Sequence, residues 1–279
     1  MEFLSASNRI RPHDLGVAIA ANQFDLLYQP VIELSTRRIG KAQALVRWRH
    51  PELGDLGADR FIALAECSGW IGPVGEWILH RALRDLRSLQ ADHPDFEMSV
   101  NVSPMQIQSG KFSQAAMGQA LAAHGVAASS LTIEISERIA LQGNETHRKR
   151  LAGVRAAGVR LAIDDFGMGN STLTSLVYFP CDFIKLDRQF VSAASPAPTR
   201  RTIARLIVDM AHVLGMQVIG EGVETENDLA HAVSLGCDHA QGDYWGLPLT
   251  LEALRSALNG GGCAPTSSAG ASPLPAPAA

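Results

Sequence analysis

The chain has 279 residues, of which 46% are hydrophobic, so it can bury a large core. Its formal net charge of −4 and sequence pI of about 6.1 exclude the overall basic field that attracts nucleic acid polymers or anionic membranes. The N-terminal sequence lacks the apolar core of a signal peptide, and no run approaches the ~20 apolar residues of a membrane span. We therefore expect a soluble, cytoplasmic protein whose four widely spaced cysteines are free thiols.

Strand-like runs alternate with amphipathic helical segments along the chain. Eight runs read as strands, at residues 26–34, 41–48, 97–103, 131–137, 159–166, 183–187, 216–224 and 237–245. Between most of them lie segments with apolar residues at helical spacing, such as GEWILHRALRDLRSLQA and PTRRTIARLIVDMAHVLG. This alternation predicts an α/β fold, a TIM-like (β/α)8 barrel.

One connection departs from that plan. Only STRRIG separates the first run from the second, and a parallel crossover needs about a dozen residues or more. The first two strands should therefore form a hairpin, which gives the barrel one antiparallel strand. We predict an N-terminal extension at residues 1–14, one domain at 15–258 and a disordered Gly/Ser/Pro/Ala tail at 259–279.

Polar side chains collect at the carboxyl ends of the predicted parallel strands, where barrel enzymes place their reactive groups. They are Asn101, Glu134, Glu137, Asp164, Asp165, Lys185, Asp187, Glu221, Glu224 and Gln241. Any one of them could instead cap a helix, bond a turn or form a surface ion pair. Together they would bury several carboxylates in one mouth, which a hard divalent cation or a pair of cations would compensate. Oxygen donors suit Mg²⁺ or Mn²⁺ better than Zn²⁺.

A lysine among these carboxylates indicates the chemistry. Lys185 lies in the apolar run FIKLD, where it should point at the carboxylates or at an anionic ligand, although a structural role is the alternative. On the second strand, alternation puts Gln43, Leu45 and Arg47 on one face, so Arg47 could bind a phosphate. Two cations, a lysine and a spare glutamate together describe a site for phosphate-ester hydrolysis.

Nine ordered motifs give the chain a resemblance to a known family. They are YQPVIEL, QALVRWRHPELG, FIALAE, VNVSP, IEISE, IDDFGMGNSTL, FIKLDRQFV, VIGEGVET and AQGDYWGLP. The chain resembles the EAL domain, the bacterial phosphodiesterase domain for cyclic di-GMP, over roughly residues 15–258. The resemblance implies a barrel with one antiparallel strand and hydrolysis of cyclic di-GMP to pGpG with two Mg²⁺ or Mn²⁺ ions.

The resemblance also implies a role for each matching residue. Position 43 and Asn101, Glu134 and Asp164 would be metal ligands, and Asp165 would serve the second metal. Lys185 would contact the attacking water or the phosphate, and Glu221 would be the general base or would orient the water. The resemblance further implies that Glu137 and Glu224 support the loops, with Asp187 also supporting the site, and that the substrate face includes Gln29, Arg47, Asp187 and Gln241.

The chain departs from the family pattern at the motif that names the family. Where the family has Glu-Ala-Leu, this chain has Gln43-Ala44-Leu45, so a metal-ligand position loses its charge. The amide NH2 of Gln43 could instead donate to Glu134 or Asp164 and, with Lys185, satisfy the carboxylates without a metal. In the loop after the fifth strand, Met168 and Asn170 replace the usual Thr and Tyr.

Two hypotheses follow from these departures. The first is an active phosphodiesterase that tolerates Gln43. The second is a non-catalytic member that binds cyclic di-GMP or a protein partner through the same mouth. We favour weak or absent turnover, because disturbing a metal site commonly costs about 10- to 100-fold in affinity or activity. An unrelated metal-dependent barrel enzyme is a third alternative, and a homodimer is left open.

Overall fold

The computed structural model describes residues 10–110, 112–142, 144–167, 179, 181–193 and 198–260. The strands are β1 (Phe24–Glu33), β2 (Arg38–His50), β3 (Gly54–Gly57), β4 (Glu97–Asn101), β5 (Leu131–Ser136), β6 (Arg160–Phe166), β7 (Phe183–Leu186), β8 (Gln217–Gly220) and β9 (His239–Gln241). The described helices are α1 (Pro12–Ala20), α2 (Ile62–Ser68), α3 (Ile71–Gln90), α4 (Pro104–Gln108), α5 (Gln114–His124), α6 (Glu137–Gln142), α7 (Glu145–Ala156), α8 (Arg188–Val191), α9 (Pro198–Val213), α10 (Glu226–Leu235) and α11 (Leu251–Asn259).

Eight of the strands close into a barrel. The sheet order runs β1, β9, β8, β7, β6, β5, β4 and β2, and β2 pairs back with β1. β1 is antiparallel to both of its neighbours, whereas the other barrel strands run parallel to one another. The predicted TIM-like barrel, with strands one and two as a hairpin, is therefore confirmed. The hairpin turn lies at the end of the barrel where the parallel strands begin.

The β1–β2 hairpin is anchored on the helical layer by aromatic rings. Because side chains alternate along a strand, Phe24 and Trp48 point outward, where their ring centroids lie 5.5 Å apart. Phe61, just before α2, packs at 5.5 Å from each of them. Tyr28 also points outward and donates from its hydroxyl to Asp85 of α3 at 2.5 Å. These contacts fix the strand that carries Gln29.

The sequence analysis did not predict β3. β3 pairs antiparallel with Arg47–His50, the part of β2 that extends beyond its pairing with β4. Its sequence, GDLG, lacks the alternating apolar pattern that marks a strand. It forms because the long β2 presents an unpaired edge there.

The barrel interior below its mouth is apolar at mid-height. Val31, Ala162, Phe183 and Ile219 form a small buried cluster of their own. Beneath it, Lys41 Nζ lies 3.5 Å from the centroid of the Phe183 ring and 3.2 Å from a Glu97 carboxylate oxygen. This layer separates the polar mouth from the far end of the barrel.

The predicted domain limits stay predictions. α1 spans the predicted boundary at residue 14, and α11 spans the one at residue 258. Residues 261–279 of the predicted tail, and Met168 and Asn170 of the loop, lie outside the described residues. None of the helices in the described part of the chain combines the length and hydrophobicity needed to cross a bilayer.

Candidate active site

Strand register brings most of the predicted polar residues to one mouth. Gln29 pairs with Gln43 across the hairpin, and Asn101 pairs with Glu134 on the neighbouring parallel strands. Asp164 stands near the end of β6, Lys185 within β7, and Glu221 directly after β8. Because the carboxyl ends of parallel strands meet at the same edge, these side chains converge.

Lys185 is the centre of the mouth. Its Nζ lies 2.8 Å from Glu134, 2.9 Å from Asp164 and 2.8 Å from Glu221, in each case measured to a carboxylate oxygen. The side chain is 1% exposed, so the ammonium is shielded from water. Burial alone would lower the Lys185 pKa, but the three carboxylates outweigh burial and raise the pKa well above its ordinary value. Lys185 therefore stays charged and holds the carboxylates together.

The carboxylates outnumber the cation in this mouth. Burial is the main cause that raises the pKa of Glu221 to about 8, and Asp164 adds to the effect. Burial likewise raises the pKa of Glu134 and of Asp165, with Asp164 again contributing. One lysine among four carboxyl groups leaves negative charge that a further cation or a proton would neutralise.

A hard cation fits one side of the mouth. Asp164, Asp165 and Glu221 each offer a ligand oxygen, and these atoms all lie within 4.8 Å of one another. Asp165 adopts a left-handed backbone with φ of 54°, which turns it out of the strand pattern. Carboxylate oxygens at this spacing are the donors that Mg²⁺ and Mn²⁺ prefer.

The other side of the mouth is closed by hydrogen bonds. Gln43 Nε2 donates to Glu134 Oε2 at 2.6 Å, which is the contact that the sequence predicted as an alternative to a metal. Gln43 Oε1, the atom that could bind a cation, accepts from Gln241 Nε2 at 2.6 Å. Gln43 is 6% exposed, so water does not compete freely for these bonds. Here Gln43 acts as a donor to the carboxylate cluster.

Two loop glutamates lie beside the site. Glu137, at the start of α6, accepts a hydrogen bond from the backbone N–H of Gly167 at 2.9 Å. Gly167 has φ of +100°, and a Cβ there would lie 2.4 Å from the Phe190 ring, so only glycine fits. Glu224 binds Arg188, with the closest atoms 2.5 Å apart. Both glutamates hold backbone or neighbouring side chains near the mouth.

The remaining predicted residues take local roles in this structure. Asp187 caps α8, accepting from the backbone N–H of Gln189 at 2.8 Å. Arg47 Nη1 donates to the carbonyl of Val46 at 2.9 Å, on the part of β2 that pairs with β3. Asn101 is exposed at the end of β4. Among the described residues, none of these three side chains forms a hydrogen bond or an ion pair with Lys185, Glu134, Asp164 or Glu221.

Sequence reasoning missed the groups that position the glutamines. Gln241 Nε2 also donates to Gln29 Oε1 at 2.8 Å, and Gln29 Nε2 donates to Asp243 at 3.3 Å. These partners are about 200 residues apart in sequence and meet only because β9 closes the barrel against β1. No local pattern could have signalled the contact.

The fold and the mouth define a class: a barrel protein whose carboxylate-lined mouth can hold a hard cation. The sequence model of the EAL domain family matches residues 13–248 of the chain. The chain belongs to the EAL domain family, as the motifs indicated.

Curated relatives agree with this assignment. The chain is 38% identical over 246 residues to the cyclic di-GMP phosphodiesterase NbdA of Pseudomonas aeruginosa, covering 88% of this chain and 31% of NbdA. It is 33% identical over 247 residues to MucR of the same organism, a bifunctional diguanylate cyclase and cyclic di-GMP phosphodiesterase, covering 88% of this chain and 36% of MucR. The chain thus spans about a third of the length of these relatives.

Solved structures show the same fold. The PaMucR phosphodiesterase in complex with c-di-GMP superposes with a TM-score of 0.81 at 33% identity, covering 87% of this chain and 98% of that chain. The FimX EAL domain from Pseudomonas aeruginosa, bound to c-di-GMP, gives a TM-score of 0.76 at 24% identity, covering 86% and 97% respectively. The second match supports the fold alone.

Proposed function

We propose that the chain binds cyclic di-GMP at the barrel mouth and hydrolyses it to pGpG slowly or not at all. The observation that carries the proposal is the hydrogen bond of 2.6 Å from Gln43 to Glu134. Together with Lys185, this bond neutralises and satisfies Glu134 without a metal. A Glu134 that is already satisfied without a cation beside Gln43 suits binding better than two-metal hydrolysis.

The residues have distinct tasks in this proposal. Asp164 and Asp165, with Glu221 beside them, would hold a Mg²⁺ or Mn²⁺ ion through the two aspartates; the bound ion would lower the pKa of a coordinated water and polarise the phosphoryl oxygens. Lys185 would orient the phosphate, and the Glu221 carboxylate would take the proton of the attacking water. Asn101 would add a ligand oxygen to the metal site, and the nucleotide would contact Gln29, Arg47, Asp187 and Gln241.

Impaired hydrolysis follows from two properties of Gln43. An amide brings no charge, so the mouth offers one negative group fewer to a pair of dications. Its oxygen is already bonded to Gln241 Nε2, so a cation would have to break that bond to reach it. Loss of a single supporting group around a metal commonly costs about 10- to 100-fold in affinity or activity.

A non-catalytic regulator is the second candidate, favoured by the same hydrogen bond from Gln43 to Glu134. Such a protein would act in the cytoplasm as a receptor for cyclic di-GMP, or through a protein partner, as a monomer or a homodimer.

Calorimetric titration of cyclic di-GMP in EDTA, and again in Mn²⁺, tests the proposal, with pGpG measured by chromatography. We expect binding in both buffers and little pGpG. Gln43→Glu should gain pGpG formation in Mn²⁺, whereas Gln119→Glu, the same charge change on exposed α5, should not. Fast turnover by the native chain would contradict impaired hydrolysis, and absence of binding in both buffers would contradict the receptor function.

A further inference from the structure

Three glutamines at the mouth form a continuous chain of hydrogen bonds. Gln241 uses both hydrogens of its amide, donating to Gln43 Oε1 at 2.6 Å and to Gln29 Oε1 at 2.8 Å. At one end of the chain, Gln43 donates to Glu134 at 2.6 Å. At the other end, Gln29 donates to Asp243 at 3.3 Å. Each amide is therefore oriented by its neighbours, and no one of them can turn over alone.

One atom in this chain lacks a partner. Gln241 Oε1 is buried and accepts no hydrogen bond from the described residues, and Gln241 as a whole is 2% exposed. A buried acceptor without a donor is unfavourable. The observed orientation thus leaves the Gln241 oxygen without a hydrogen bond within the described part of the chain. It is imposed by Glu134, which needs the NH2 group of Gln43.

Turning all three amides over gives a second arrangement with the same connections. Gln43 and Gln29 would then donate to Gln241 Oε1, and the Gln241 NH2 would move to the position that Oε1 now occupies. Asp243 is exposed, and its carboxylate can turn to solvent when Gln29 no longer donates to it. The carbonyl oxygen of Gln43 would then face the Glu134 carboxylate, and a divalent cation bound by both oxygens would stabilise this arrangement beyond what Lys185 provides.

We propose that Gln241 is a positioning residue that links the three amides into a two-state switch at Gln43. Without a divalent cation, Gln43 donates to Glu134; with one, the amides turn together and Gln43 becomes an oxygen ligand. The switch concerns the site of the proposed function and specifies how that site changes between a metal-free and a metal-bound form. The cation selects the second form because only that form offers it the Gln43 oxygen.

Two substitutions that add the same charge separate the switch from plain electrostatics. Gln241→Glu leaves only acceptors at position 241, so Gln43 must donate to it and turn its carbonyl towards Glu134. Gln29→Glu leaves only acceptors at position 29, which can accept from Gln241 but cannot donate to it, so the observed orientation is retained. Calorimetric titration with Mg²⁺ alone, without nucleotide, measures the affinity of each variant.

We expect Gln241→Glu to bind Mg²⁺ about 10-fold or more tightly than the native chain, the size typical of a group that orients a ligand. Gln29→Glu should bind no more tightly than the native chain. Equal tightening by both variants would show that charge alone acts and would overturn the switch, as would no change in either.

A second measurement uses the native protein, in case Gln241→Glu does not fold. In a Mg²⁺ titration followed by NMR, the side-chain NH2 signals of Gln29, Gln43 and Gln241 should shift together with one midpoint. The Gln43 signal is identified by its loss in Gln43→Glu. If the chemical shift of the Gln43 signal does not change while the site binds Mg²⁺, the switch is overturned. Cyclic di-GMP titrated into the same samples tests the proposed function separately.

Discussion

Replacing Gln43 by glutamate should destabilise the metal-free protein. The substitution removes a hydrogen bond to a charged group, worth about 1.5–3 kcal/mol. It also sets a carboxylate against Glu134, and two like charges about 4 Å apart repel by about 4 kcal/mol at an effective dielectric constant of 20. Proton uptake by one of the two carboxyl groups relieves part of this repulsion. We therefore expect the free energy of unfolding in EDTA to fall by about 3 kcal/mol.

Thermal melting followed by circular dichroism measures this loss. For a domain of this size, a loss of about 3 kcal/mol lowers Tm by about 6–12 °C. Mn²⁺ at about 100 times its dissociation constant should restore about 2.7 kcal/mol to Gln43→Glu, and less to the native chain, which binds the ion more weakly. Gln119→Glu, exposed on α5, controls for the added charge. If Gln43→Glu melts in EDTA at or above the native temperature, Gln43 does not compensate Glu134.

Three further predictions concern the same mouth and its support. Lys185→Met should lower the free energy of unfolding by about 3–5 kcal/mol, because it leaves buried carboxylates uncompensated. Urea unfolding measures this loss. An unchanged urea midpoint would mean that the cluster is neutral without Lys185. Tyr28→Phe removes the hydroxyl that donates to Asp85 and should cost about 1–3 kcal/mol in the same measurement. Glu221 has a folded pKa of about 8 against about 4.3 in the unfolded chain, so the native state holds an extra proton between those values. Stability in EDTA should therefore fall as the pH rises from 5 to 8, and Glu221→Gln should flatten this slope; a native melting temperature that rises over this range would contradict the shift.

The barrel could be predicted from sequence because its signals are local. Alternating runs mark the strands, and the short STRRIG connection alone requires a hairpin, which the structure shows between β1 and β2. The approach of Lys185 to carboxylates was also foreseeable, because a lysine in an apolar strand must find a partner. Family motifs supplied the ligand class that we propose.

The contacts that could not be predicted from the sequence depend on the register between strands that are distant along the chain. The partners Gln241 and Gln43 lie 198 positions apart, and their amides meet because β9 closes on β1 beside β2. Tyr28 and Asp85 are 57 positions apart on a strand and a helix. β3 has no apolar pattern and depends on the free edge of β2. Such contacts form only when the barrel closes, and no short segment of the sequence predicts them.

The reversed direction of β1 has a practical consequence. Because β1 runs against every other barrel strand, the turn that joins it to β2 lies at the opposite end from the mouth, and residues 35–37 of that turn are exposed. A fluorophore, an affinity handle or a surface linker attached there would leave the mouth unobstructed. Immobilised through this turn, the protein would present its site to the solution, in the geometry that a biosensor for a small nucleotide requires.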